Sequence, residues 1–127
     1  MNQGSKKVVW WLVLAVVVLV GIYFIRSSNN TPGKLDGFTT CLKDSGAVFY
    51  GAFWCSHCQN QKTMFGSSKK LLPYVECSTP DSRGQTPECI VKNVDSYPTW
   101  EFKDGSRLSG EIALKTLAEK TGCVLPE

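Results

Sequence analysis

Ala47-Val48-Phe49-Tyr50-Gly51-Ala52-Phe53-Trp54-Cys55-Ser56-His57-Cys58 decides how the rest of this chain is read. The stretch opens on an unbroken apolar run of strand length, suited to a central strand buried on both faces. It closes on a C-x-x-C pair, where a helix is expected to open around Cys55 and to continue through Met64 and Phe65 to about Ser68. The placement has a chemical reason, because a thiolate attacks a disulfide and a thiol does not. At a helix N-terminus the unpaired amides and the macrodipole favour the anion. They lower a cysteine pKa from about 8.5 into the range of roughly 3.5–7.5. Cys55 is therefore the expected exposed nucleophile, and Cys58, one turn further on, closes the intramolecular disulfide. Ser56 and His57 form the intervening dipeptide. His57 can favour the Cys55 thiolate as a charge or as a donor, and Trp54 shapes the surface in front of it. The same four residues could instead be half of a zinc site or an inert bridge. Zinc would need two more ligands, and Cys77 and Cys89 lie 12 residues apart with no second C-x-x-C. A non-enzymatic metal-binding domain built on Cys55, Cys58 and His57 is the competing reading.

The flanking sequence supplies the other elements. Upstream, Leu35, Phe38 and Leu42 recur at helical spacing, and the helix should stop near Gly46. Downstream, Pro73-Tyr74-Val75-Glu76-Cys77 reads as a second strand and Ser78–Gln85 as a loop. Thr86-Pro87-Glu88 starts a short helix, with an N-cap residue before a proline at the first position. Thr99-Trp100-Glu101-Phe102 and Arg107-Leu108-Ser109 flank an Asp104-Gly105 turn, the signature of a β-hairpin. Tyr74, Trp100 and Phe102 are expected to pack in the core or against the sheet. A last helix carries Ile112, Leu114, Leu117 and Ala118, with Gly122 as its cap. The order predicts an α/β class, a mixed sheet flanked by helices.

The N-terminus is different in kind. Val8 to Ile25 is an uncharged apolar run of 18 residues. As a helix it would span about 27 Å, close to the thickness of a bilayer core. It has no polar face and no small-residue cleavage pattern, so it reads as an uncleaved signal anchor. Trp10, Trp11 and Tyr23 stand near its ends, where interfacial aromatics belong. Residues 1–7 are then the cytoplasmic N-terminus, 8–25 the transmembrane anchor, 26–34 a flexible linker rich in Ser, Asn, Pro and Gly, and 35–127 one folded domain. The formal charge of +3 is carried by Lys6, Lys7 and Arg26, which leaves 11 basic and 11 acidic residues in balance elsewhere. No basic block marks a nucleic-acid binder. Lys6 and Lys7 favour a cytoplasmic N-terminus. Six cysteines in so small a domain suggest an oxidising compartment, so the domain is expected outside the cytoplasm, in a periplasm, at a cell surface or in a lumen.

Two further features carry a resemblance. Tyr97-Pro98-Thr99 follows Cys58 by 40 residues at the proline. With Trp54-Cys55-x-x-Cys58 after a strand, it makes the chain resemble the thioredoxin superfamily. The resemblance implies a thioredoxin-like fold, a cis bond before Pro98, and Tyr97 offering backbone groups to a substrate strand. Over residues 35–123 the likeness is closer. Tyr50–Cys58, Leu72–Cys77 and Tyr97–Glu101 look like the thioredoxin-like domain fused to bacterial and plant vitamin K epoxide reductase homologues. That implies a disulfide shuttle that takes electrons from the thiols of secreted proteins and passes them to a membrane quinone reductase. These 127 residues hold no such reductase, so it is expected as a partner in trans. Protein thiols and disulfides are the expected substrates, and no metal or cofactor is expected.

Cys77 and Cys89 match a second cysteine pair of those reductase-linked domains. A bridge between them would pin the loop they enclose, or serve as a second shuttle pair. Six cysteines can pair in many ways. Once those four are assigned, Cys41 and Cys123 remain, and joining them leaves no odd thiol. One departure concerns direction. Thioredoxin itself carries a buried carboxylate six residues before the first cysteine, where this chain has Phe49. That favours an oxidant over a general reductase, with a reductase fed by a membrane electron donor as the alternative.

Overall fold

The structure, a computed structural model, describes residues 3–28 and 32–127. It divides the chain into an N-terminal helix and a folded domain that begins at Pro32. The helix α1 (Gln3–Ser28) takes in 8–25 together with residues on both sides. From Gly4 to Ser27 it is long and apolar enough to cross a membrane. Its apolar side chains are exposed around the whole circumference, with no polar face. The first two residues of the 1–7 segment and residues 29–31 of the 26–34 linker lie outside the described residues.

In the domain, α2 (Asp36–Asp44) leads into β1 (Val48–Gly51), followed by α3 (Ser56–Met64) and a 3₁₀ segment (Gly66–Leu71). Then come β2 (Tyr74–Glu76), α4 (Pro87–Val91), β3 (Thr99–Glu101), β4 (Arg107–Ser109) and α5 (Leu114–Thr121). The strands lie in the order β2-β1-β3-β4. β1 runs parallel to β2 and antiparallel to β3, and β3 and β4 form the hairpin. This mixed sheet flanked by helices is the thioredoxin-like arrangement.

β1 is central and buried on both faces, which is why its sequence is a continuous apolar run. Phe49 faces the main core, where its ring stacks on Trp100 at 4.8 Å with planes 13° apart. Phe38, Leu42, Phe65, Phe102 and Leu117 complete that core. Tyr50 points the other way, into a smaller cluster with Cys77, Cys89 and Val94. The alternation follows from the two-residue period of a strand. Tyr74 is half-buried, and Trp100 and Phe102 are buried.

Three local expectations are corrected. The helix expected to reach Ser68 ends at Met64, because Gly66 takes φ +55° and turns the chain into the 3₁₀ segment. Ile112 lies ahead of α5, where the side chain of Gln61 holds both of its backbone groups. The Thr86 hydroxyl does not cap α4; it donates to Glu76 O at 3.1 Å and ties the helix start to the end of β2.

The hairpin turn yields a prediction. Gly105 adopts φ +79°, and Phe102 N–H donates to Ser106 O at 2.9 Å, so Phe102 belongs to the turn rather than to β3. Asp104 accepts hydrogen bonds from the Ser106 hydroxyl (2.6 Å) and amide (3.0 Å) and pairs with Lys120 of α5 at 3.2 Å. These donors, the Ser106 hydroxyl foremost, lower its pKa from 3.8 to about 2. A depressed carboxylate pKa stabilises the fold fully above its unfolded value, and the benefit fades as pH falls through the folded one. The contribution of Asp104 is therefore complete above pH 3.8 and lost toward pH 2. An NMR titration should place its midpoint near 2, and Ser106→Ala should move that midpoint upward.

Candidate redox site

Gly51 ends β1 against Cys58, where a side chain would be tight. A Cβ there would sit 3.0 Å from Cys58 Sγ and 3.0 Å from the Tyr74 ring. The close approach lets the chain turn within four residues from strand to helix. Cys55 is the N-cap of α3, with φ −77° and ψ 115°. Its sulfur accepts the Cys58 amide at 3.1 Å. A helix-start donor thus points at the atom that carries the negative charge once the disulfide opens.

Cys55 and Cys58 are joined by a disulfide, with their Cα atoms 5.2 Å apart. Cys55 keeps 7% of its surface exposed and Cys58 none. Cys55 is the more accessible of the two sulfur-bearing residues, but it is far less open than the sequence suggests. It sits in an open groove of about 480 Å³, lined also by Trp54, His57, Ser96 and Tyr97. The Tyr97–Pro98 peptide bond is cis, and Pro98 is fully buried.

His57 is largely exposed, and its Nδ1 lies 2.6 Å from Glu111 Oε1. The same carboxylate oxygen accepts from Asn60 Nδ2 at 3.0 Å. These two contacts, His57 first, hold the Glu111 carboxyl below its usual range. Glu111 reaches α3 because buried Gln61 clamps the next residue. Gln61 Oε1 accepts from Ile112 N at 2.6 Å, and its Nε2 donates to Ile112 O at 3.0 Å. The imidazole is thus anchored toward the β4–α5 connection.

On the other side, Trp54 Nε1 donates to Ser78 Oγ at 2.8 Å. Glu76 accepts from the backbone amides of Phe53 (3.2 Å) and Ser78 (2.9 Å) and from the Tyr74 hydroxyl (2.7 Å). Lys62, one turn after Cys58 on α3, lies over the Tyr74 ring at 3.3 Å. Partial burial lowers its pKa, while Glu76 opposes that shift.

The remaining cysteines are also bonded. Cys77 joins Cys89, and Cys41 joins Cys123. Cys77 and Cys89 are fully buried. The sequence reading missed Gln61, Glu76, Ser78, Gln85 and Glu111. The one signal available was Gln61, a polar residue one turn past Cys58 on the inner face of α3.

No protein-family model matches the chain. It is similar to the thiol-disulfide oxidoreductase LTO1 of Arabidopsis thaliana, with 46% identity over 105 residues. The match covers 80% of this chain, which spans 27% of the length of that relative.

Proposed function

From this site and that likeness, we propose that the chain is a membrane-anchored thiol–disulfide oxidoreductase whose working pair is Cys55 and Cys58. One observation carries the reading. Cys55 occupies the N-cap of α3, with the Cys58 amide aimed at its sulfur, at the floor of a groove shared with Tyr97. No metal is needed for that chemistry. His57, the third ligand of a metal-binding reading, is bonded to Glu111 instead.

In the oxidising direction, a substrate thiolate attacks Cys55 Sγ. The substrate–Cys55 bond forms, the Cys55–Cys58 bond breaks, and Cys58 leaves as a thiolate that takes up a proton. The second substrate thiolate then attacks the substrate sulfur of the mixed disulfide and releases Cys55. Two electrons pass from the substrate dithiol to the Cys55–Cys58 pair, and the substrate keeps the new disulfide. Secreted proteins with free thiols are the substrates. A membrane quinone reductase of the vitamin K epoxide reductase type, acting in trans, takes the two electrons back. That partner rests on the resemblance over residues 35–123. The oxidising direction is supported by Phe49, buried and stacked on Trp100 where a reductase would keep a carboxylate.

The domain lies outside the cytoplasm, with α1 as its anchor and Lys6 and Lys7 on the cytoplasmic side. All six cysteines are in disulfides, as suits an oxidising compartment. The test starts from the chain in its Cys55–Cys58 disulfide form, mixed with a reduced unfolded protein. One substrate disulfide should form for each Cys55–Cys58 pair reduced. The potential of the pair should lie nearer about −120 mV than about −270 mV, the oxidising and reducing ends of the superfamily. A value at the reducing end reverses the direction, and failure to exchange with any thiol removes the oxidoreductase reading.

A further inference from the structure

The loop Ser78–Gln85 reaches both aromatic rings at the mouth of the redox groove. Ser78 Oγ accepts from the Trp54 indole N–H at 2.8 Å. Gln85 Nε2 donates to the Tyr97 hydroxyl at 2.7 Å and to Val94 O at 2.7 Å. Ser78 and Gln85 face each other across an antiparallel bridge. The Cys77–Cys89 disulfide closes the segment around them. Trp54 and Tyr97 stand edge to face, with ring centroids 6.2 Å apart and planes at 75°. Trp54 is 55% exposed although its indole nitrogen is tied down. An exposed aromatic ring would otherwise sample several rotamers, and fixing it in advance lowers the entropy cost of binding.

We propose that Ser78 and Gln85 are positioning residues. Through the Ser78–Gln85 bridge they hold Trp54 and Tyr97 as the two walls of the groove and so set affinity for an extended polypeptide that brings a cysteine to Cys55. This rests on the oxidoreductase reading above. Neither residue touches the reacting sulfurs. Their effect falls on substrates long enough to contact both rings, and not on a small dithiol that meets the disulfide alone. The loop belongs to the redox centre even though it contributes no reacting group.

The test uses the full chain in detergent with two substrates, a reduced unfolded protein and dithiothreitol. Gln85→Leu removes the donor, and Tyr97→Phe removes the acceptor while keeping the ring and leaving the loop untouched. Tyr97→Phe, which loses one hydrogen bond, should raise KM for the protein substrate about five-fold, and Gln85→Leu, which also loses the bond to Val94 O, at least as much, with kcat little changed. The double variant should be no worse than Gln85→Leu alone, because Tyr97→Phe removes only a bond that Gln85→Leu has already removed. Ser78→Ala should likewise raise KM for the protein, and the dithiothreitol rate of Gln85→Leu and Ser78→Ala should stay within about two-fold of the parent. Where Ser78→Ala or Gln85→Leu fails to fold, Tyr97→Phe alone decides by its KM. An active parent with unchanged KM in Tyr97→Phe, or equal losses on both substrates in folded Gln85→Leu, overturns this inference alone. A parent inert toward both substrates overturns the oxidoreductase reading, and this inference with it.

Discussion

Cys58→Ala, prepared with Cys55 reduced and mixed with a disulfide-bonded protein, should accumulate a one-to-one covalent adduct through Cys55. The Cys55 thiolate can still form, because the donor at its sulfur is the backbone amide of residue 58, which alanine retains. It attacks one substrate sulfur, and the other leaves as a thiolate. In the parent, the Cys58 sulfur then attacks Cys55 Sγ from a position fixed by α3, with the two Cα atoms 5.2 Å apart. Such intramolecular attack is worth an effective concentration of about 10⁵ M or more. Alanine removes it, and the adduct can then be cleaved only by thiols from solution or by the substrate's own second thiolate, which restores the starting disulfide without net turnover. Turnover should fall by at least about a thousand-fold, and dithiothreitol should release the bound protein. Cys55→Ala should lose turnover to the same degree and form no adduct. Gel mobility without reductant, followed by peptide mapping, reads the result. Adducts through Cys41 or Cys89 in place of Cys55 would sink the assignment.

The second large effect concerns stability. Replacing both Cys77 and Cys89 with alanine should cost about 3 kcal/mol, from the entropy regained by an unfolded loop of about a dozen residues. At about 4–8 °C per kcal/mol for a domain of this size, Tm should fall by about 12–24 °C. Tyr50 and Val94 pack around these sulfurs, so the lost packing adds to the loop term. Calorimetry of the full chain measures it, and a Tm within a few degrees of the parent would contradict the estimate. The same burial bears on whether this bridge is a second shuttle pair. Exchange needs a sulfur that a thiolate can reach, and neither Cys77 nor Cys89 is exposed. Mild reductant should therefore open Cys55–Cys58 and leave Cys77–Cys89 closed.

Features that depend on nearby residues were legible in the sequence. The apolar run Ala47–Phe53, the C-x-x-C after it and the Asp104-Gly105 turn each report a local backbone demand. Pro98 was legible through its offset from Cys58, which only the family resemblance made meaningful. Contacts between distant segments were not legible. Gln61 and Ile112 are separated by 51 residues, and His57 and Glu111 by 54. No local pattern announces that a glutamine will satisfy the backbone of a strand-to-helix connection. The Gly66 break was missed because the apolar pair Met64-Phe65 extends the helical pattern to its edge. The Thr86 hydroxyl was misread for a related reason. Its sequence neighbours fit a cap, but a β2 carbonyl in space offered a better acceptor.

The Cys41–Cys123 bond spans 82 positions and joins α2 to the residue just past the Gly122 cap of α5. It makes nearly the entire domain a covalent ring. Tension applied along the backbone from the N-terminal side can uncoil α2 only as far as Cys41. There the load passes through sulfur to Cys123 and bypasses the sheet and the redox helix. A protease that nicks the ring once, anywhere between residues 42 and 122, leaves both fragments attached. The domain can thus be stretched or cut once without being released in pieces.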